Sequence, residues 1–400
     1  MSKKVISNIF NNIFATLINI LAPLIIIPIL TSGLGMNEYG LYVAMLAKTA
    51  LFIVLAELGF GMYLGKQISI NRDDIAEVSS LFWIFLVTKL VVFFVVLAVL
   101  IVFSAQFGVV ELLLSALIFF QFLNVTPILT GLENYKLLTK VQIFTKFLMV
   151  VLVITVNFSS FGLEKVLVLH VVIAALTSFS LFIYFLKNNK LEKIIFSFTK
   201  FKIVLIGSLP FYGAKLFVNL YQQSSTYFVS FLLSAELVAI YSIAIQLYKV
   251  GQSIIGAVSR VLYTSTVNTK DFLLIKRLTI SSFFIHLAVL PIVFFYGAQI
   301  LSLIFSFDVK ILTELSVIFY LSLLSVIVSS YWGYPALTAI GKENYAHLGI
   351  LTASVAYFIA LGLLIFFDLS SIHLLIGCIV LADFSGMLVR LFFARKFKLL

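Results

Sequence analysis

The feature that most constrains this chain is a unit of length. Apolar runs of about 20 residues or more follow one another from end to end, each enough to cross a hydrocarbon layer ~30 Å thick as an α-helix. The loops between them are short, and no soluble domain fits in any of them. Composition closes off the alternatives: 62% of residues are hydrophobic, only 11% are charged and the mean hydropathy is +1.19. Barrel strands need only ~9–11 alternating residues, so the expected class is an all-α polytopic membrane protein.

Twelve spans can be laid down, at about 8–32, 39–63, 79–103, 111–131, 140–157, 164–186, 203–232, 238–262, 278–303, 311–333, 345–367 and 372–394. An even count puts both termini on one side. The positive-inside rule says which. The termini and the loops on their side carry 20 Lys and Arg, among them Lys3, Lys4, Arg72, Lys200, Lys202, Lys276, Arg277 and Arg395, whereas the opposite loops carry only Lys165 and Lys310. Both termini are therefore expected in the cytoplasm. Most of the net charge of +11 is then topology and contact with anionic lipid, not a nucleic-acid signal. The N-terminal stretch has a basic start, but Asn8, Asn11, Asn12 and Asn19 interrupt the run that follows and no clear small-residue cleavage site appears; it reads as a retained first span.

Segments about 200 residues apart match. Pro127-Ile-Leu-Thr in the fourth-to-fifth connection corresponds to Pro335-Ala-Leu-Thr in the tenth-to-eleventh, and each is followed by Glu-Asn-Tyr (133–135 and 343–345). LGMNEYGLYVAM ahead of span two resembles LLSAELVAIYSI ahead of span eight. Two six-helix halves of the same orientation are expected, residues 1–186 and 203–400, joined by a basic amphipathic cytoplasmic linker at 187–202.

The chemistry-bearing positions lie inside the spans. In span seven Ser208, Tyr212, Lys215, Asn219, Gln222 and Thr226 follow at steps of four and three and share one helical face. Span eight repeats the pattern with Ser242, Gln246, Lys249, Ser253, Gly256 and Arg260, span one carries Asn8, Asn12, Thr16, Asn19 and Pro23, and span two carries Lys48. A lysine at bilayer depth costs about 2.5–3.5 kcal/mol on insertion scales, so Lys48, Lys215 and Lys249 call for a wet cavity or partners. Lys146 lies close enough to the cytoplasmic end of span five to snorkel, and Lys89 in span three is a second candidate for that relief. Two carboxylates lie at depth, Glu57 in span two and Asp383 in span twelve, and both are ion-coupling candidates; Glu57 is favoured, because Gly59 and Gly61 beside it allow close helix approach or bending. Glu57 and Lys48 fall on opposite faces of their helix, while Asp383 shares a face with Arg390, as a structural pair or a proton site. The lone Cys378 and the four scattered histidines lack metal-ligand spacing, and no nucleophile-base set or phosphate loop is present. Neither an enzyme nor a cofactor is expected.

NNIFATLINILAPLIIIPILTSGLGMNEYGLYVAMLAKTALFIVLAELGFG, with Asn19, Pro23, Pro28, Leu34-Gly35, Tyr39-Gly40-Leu41-Tyr42 and Leu58-Gly59, resembles the opening of bacterial Wzx-type polysaccharide-unit flippases. These belong to the multidrug/oligosaccharidyl-lipid/polysaccharide exporter superfamily. The resemblance implies a V-shaped transporter in the inner membrane that moves an undecaprenyl-diphosphate-linked oligosaccharide, such as an O-antigen unit, from the cytoplasmic to the periplasmic leaflet. It implies a central cationic cavity facing the diphosphate and sugars, a role that Lys48, Lys215 and Lys249 match by position; by their own chemistry Asn19, Asn219, Gln222 and Gln246 on the polar stripes can hydrogen-bond sugar hydroxyls. It also implies membrane lipids, a coupling proton or sodium ion, and a polysaccharide polymerase with its chain-length regulator as partners. Two alternatives from the same superfamily stay open: a drug/cation antiporter, which should centre carboxylates in its cavity, and a lipid II flippase, whose relatives usually carry fourteen spans.

Overall fold

The computed structural model describes residues 3–103, 108–155, 162–189, 191–192 and 197–399, with the side chains of residues 3–17, 19, 20, 103, 210, 211, 214, 215, 217, 218, 223, 224 and 268 outside that description. Among the described residues the chain is helical, with no strand. The helices are α1 (Lys3–Leu55), α2 (Phe60–Ile70), α3 (Ile75–Phe103), α4 (Val109–Phe122), α5 (Thr126–Gly131), α6 (Tyr135–Thr155) and α7 (Leu163–Asn188). They continue as α8 (Phe198–Val229), α9 (Ala235–Thr269), α10 (Phe272–Ile304), α11 (Lys310–Trp332), α12 (Tyr334–Thr338), α13 (Glu343–Phe366) and α14 (Ile372–Lys396).

Among the described residues ten helical segments are long and apolar enough to cross a membrane, and the chain is a multi-pass membrane protein. Of the two further spans expected from the sequence, one is joined to its neighbour within α1 and the other is α8. The 53 residues of α1 would reach about 80 Å as one straight helix. They bend instead at Gly35 (φ 76°, ψ 163°), which separates the first span from the second. Helix α8, at 32 residues, is also long enough to cross, and some of its side chains lie outside the described residues. Outward-facing side chains suit lipid: Phe94, Val102, Phe147, Phe294 and Phe366 are all exposed. The apolar window of α10 has no buried residue at all.

By packing, the chain divides into two units, one of residues 1–29 and 44–224, the other of residues 30–43 and 225–400. In the first, Phe60, Leu64 and Ile68 of α2 pack with Leu81, Phe82 and Phe85 of α3, Ile128 and Leu129 of α5, and Leu181 and Phe185 of α7. In the second, α11 packs on α9, α10 and α14, and α13 lies along α14. Lipid tails are as apolar as leucine, so close helix approach in a bilayer needs small residues at the seam. Gly349 and Gly386 supply one here; a Cβ on Gly386 would sit 3.0 Å from the Gly349 carbonyl.

The pairings repeat. The contacts α2–α5, α3–α4, α4–α7 and α6–α7 of the first unit recur as α9–α12, α10–α11, α11–α14 and α13–α14 of the second. The connections at Pro127 and Pro335 are also alike in detail. Each opens a short helix, α5 or α12, with proline in its first turn. Each closes with the same bond across six residues, Asn134 N–H to Leu129 O and Lys342 N–H to Leu337 O, both 2.9 Å. The left-handed residue before that bond is Glu133 (φ 60°) in one and Gly341 (φ 69°) in the other. This register pairs Pro127, Leu129 and Thr130 with Pro335, Leu337 and Thr338. It leaves the two Glu-Asn-Tyr triplets out of step by two residues, so the repeat rests on Pro-x-Leu-Thr and not on that triplet.

The linker is held to the first unit. The hydroxyl of Ser79 accepts from Glu192 N–H at 3.0 Å, and Lys200 Nζ reaches Glu77 Oε2 at 2.5 Å.

Candidate functional site

The first unit holds Lys48 on α1 and Asn219 and Gln222 on α8, all partly buried; Gln222 Nε2 donates to Tyr221 Oη at 3.1 Å. Asn19 and Lys215 sit on α1 and α8 by backbone, and their side chains lie outside the described residues. The second unit holds Gln246 and Lys249 on α9, one turn apart and partly buried, and Asp383 on α14.

Span two is not one helix. Helix α1 ends at Leu55, residues 56–59 leave the helical path, and α2 resumes at Phe60, with Leu58 (φ 54°) and Gly59 (φ 72°) in the left-handed region. A helix end inside the membrane frees carbonyls that cost several kcal/mol each if left without a partner. Three side-chain bonds meet that demand. Lys89 on α3, a buried lysine, donates from Nζ to Ala56 O at 3.0 Å and Glu57 O at 3.4 Å. Tyr212 on α8 donates its hydroxyl to Leu55 O at 2.7 Å. The Lys89 ammonium also lies 5.0 Å from the Phe122 ring centroid and 5.9 Å from that of Phe60. Gly59 permits the arrangement, since a Cβ there would overlap the Ser208 carbonyl and approach Tyr212 N to 2.7 Å. Glu57, the first coupling candidate, thus stands at a helix break. Lys89 does not snorkel to the headgroups, as the sequence allowed; it turns inward and caps.

Asp383, the second candidate, accepts a short hydrogen bond from the Tyr248 hydroxyl on α9, and the Tyr248 ring stacks on Phe319 at 4.6 Å. Arg390 donates to Ser329 O (3.0 Å), Ser329 Oγ (2.7 Å) and Ala346 O (3.4 Å), and its charge still acts on Asp383. The phenol therefore joins α9 to α14 at the carboxylate, one residue before Lys249. Sequence spacing singled out Asp383 with Arg390 on its own helix. It had no signal for Tyr248, because a tyrosine one helix away has no fixed spacing to find.

Solved structures with this fold are MOP-superfamily transporters. The lipid II flippase MurJ in an inward-closed conformation aligns with a TM-score of 0.73 at 15% identity, over 98% of this chain and 87% of that one. An inward-facing multidrug resistance MATE transporter gives 0.68 at 15% identity, over 96% and 94%. A MOP-superfamily transporter from Pyrococcus furiosus, described as having a binding pocket of reversed polarity, gives 0.62 at 14%, over 98% and 95%. The fold class is thus that of the MOP transporters. Within it the chain belongs to the polysaccharide biosynthesis protein family, whose model matches residues 5–263. No curated protein matches the chain.

Proposed function

We propose that the chain is a flippase that moves an undecaprenyl-diphosphate-linked oligosaccharide from the cytoplasmic to the periplasmic leaflet of a bacterial inner membrane by alternating access, with both termini cytoplasmic. The observation that carries this reading is the sign of the charge on the polar stripes. Lys48 on α1 and Lys249 on α9 are partly buried cations at bilayer depth, and Lys215 lies on the stripe of α8. A diphosphate entering an apolar layer loses its hydration, and fixed ammonium groups offset part of that loss through charge-assisted hydrogen bonds. Asn19, Asn219, Gln222 and Gln246 offer both donors and acceptors to sugar hydroxyls. The polyprenyl tail stays in lipid. Membership of a polysaccharide biosynthesis family supports a glycan cargo, and the transporter fold supports movement over synthesis.

The test is Lys249→Ala in a strain that depends on the chain for surface polysaccharide. Loss of one charged hydrogen bond to the head group, worth about 1.5–3 kcal/mol, lowers translocation by roughly tenfold or more. Lipid-linked oligosaccharide should accumulate on the cytoplasmic leaflet while the protein still inserts, and Lys249→Arg should keep part of the activity. Full complementation by the alanine variant would remove Lys249 from the cargo path.

A further inference from the structure

We infer that the break in span two is a cation site, and that the chain fills it with its own Lys89 ammonium. The site is built from both sides. Helix α1 ends inside the membrane, and the C-terminal end of a helix carries the negative pole of its dipole. Its last carbonyls are released by the left-handed turn at Leu58 and Gly59, and those of Ala56 and Glu57 point at one nitrogen. The faces of Phe122 and Phe60, each a region of negative potential, lie on that same nitrogen. Carbonyls of an unwound segment together with a helix C-terminus are what membrane proteins use to hold small cations. Here the cation is tethered.

The geometry does not fit a lysine that is merely accommodated. Lys89 lies well inside α3, about 21 Å from its start at Ile75 at 1.5 Å per residue, and it is buried, not extended to an interface. A tethered ammonium cannot exchange with ions in solution. The break is therefore held permanently, and any dependence of this protein on a dissolved cation arises at another place, with Asp383 in the second unit as the available carboxylate. None of this requires the proposed cargo, and its test reads stability, not transport.

The purified full-length protein is compared with Lys89→Arg, Lys89→Gln and Lys89→Ala by thermal unfolding in lipid nanodiscs. A cation site predicts that Gln, which donates hydrogen bonds without charge, lowers Tm by roughly 5 °C or more, while Arg loses less than half of that. It further predicts that propylammonium chloride at ~100 mM raises the Tm of the alanine variant by several degrees, entering the space the side chain left, and does not move the wild type. Tetramethylammonium chloride at the same ionic strength, a cation without N–H donors, should do nothing. A Gln variant as stable as the wild type overturns the proposal, as does equal rescue by tetramethylammonium. If the Ala and Gln variants do not accumulate, the yield of the Ala variant extracted with and without propylammonium is read instead. Recovery with the amine supports the site, and equal yields overturn it.

Discussion

The two units solve the same segment differently. Span two and its counterpart, α9, begin on similar sequences and end at nearly the same distance along, at Ile70 and Thr269. Span two breaks at residues 56–59, while α9 runs unbroken through Ile254–Val258, the corresponding stretch. The third spans differ to match. Fourteen residues into α3 stands Lys89, which caps the break; equally far into α10 stands His286, whose Nε2 meets Tyr320 O on α11 at 2.6 Å while its ring stacks on Tyr320. In each unit a polar residue on the third span reaches a backbone carbonyl of a neighbouring helix. Only in the first does it answer carbonyls freed by a break. An internal repeat thus preserves helix pairings, whereas polar groups at the same depth take on local duties.

The largest effect that would break this comparison comes from Gly59. A valine there carries a β-branched side chain into a left-handed backbone, at about 1–2 kcal/mol, and overlaps the Ser208 carbonyl as well. Gly59→Val should abolish monodisperse protein after extraction. Ala257→Val, at the corresponding place in the unbroken α9, keeps a right-handed helical backbone, where the lower helix propensity costs about 0.6 kcal/mol, and should still give monodisperse protein. Equal loss from both would mean that α9 is as constrained as the break.

The next contrast lies between the two carboxylates. Glu57 stands at the break in the first unit, and Asp383 is bonded by Tyr248 in the second. In proteoliposomes under an imposed proton or sodium gradient, the inference that Lys89 already fills the first unit's cation site places coupling at Asp383. Asp383→Asn should lose the gradient response, and Tyr248→Phe, which removes one hydrogen bond to a carboxylate worth about 1.5–3 kcal/mol, should weaken it. Glu57→Gln should keep it. The sequence alone favours Glu57, through the flanking Gly59 and Gly61, so a response lost in Glu57→Gln and kept in Asp383→Asn would restore that reading.

Much of the fold was legible because its signals are long. Apolar runs of about 20 residues and the Pro-x-Leu-Thr repeat need no knowledge of contacts. The polar stripe of α8 was visible by spacing, but not that Tyr212 would turn its hydroxyl to Leu55 O. The break itself had one local sign, Gly59. Its other half is Leu58 at φ 54°, a conformation no sequence rule assigns to leucine. Lys89 was ambiguous for a related reason: whether a buried lysine snorkels or caps depends on carbonyls 32 and 33 residues away in the chain. Glu-Asn-Tyr misled because identity at short range is a weaker constraint than backbone register.

The smallest effect sharpens the comparison at the paired connections, where Glu133 and Gly341 hold the same left-handed turn. At Gly341 a Cβ would meet nothing within 4 Å, so Gly341→Ala tests the backbone alone and should cost about 1 kcal/mol. Glu133 already bears that strain, and in return its carboxylate lies 3.5 Å from Arg72 Nη1, with the two side chains 35% and 49% exposed. A pair that exposed contributes about 0–1 kcal/mol in water-like surroundings. In Glu133→Gly the relief of strain and the loss of the pair oppose each other at similar size, and glycine's freer unfolded chain takes back part of the gain. The expected outcome is a Tm unchanged to within about 1 °C for Glu133→Gly and lowered by about 1–2 °C for Gly341→Ala. A fall in Glu133→Gly as large as that in Gly341→Ala would mean that the Arg72 pair, and not the turn shared with the second unit, holds this connection in place.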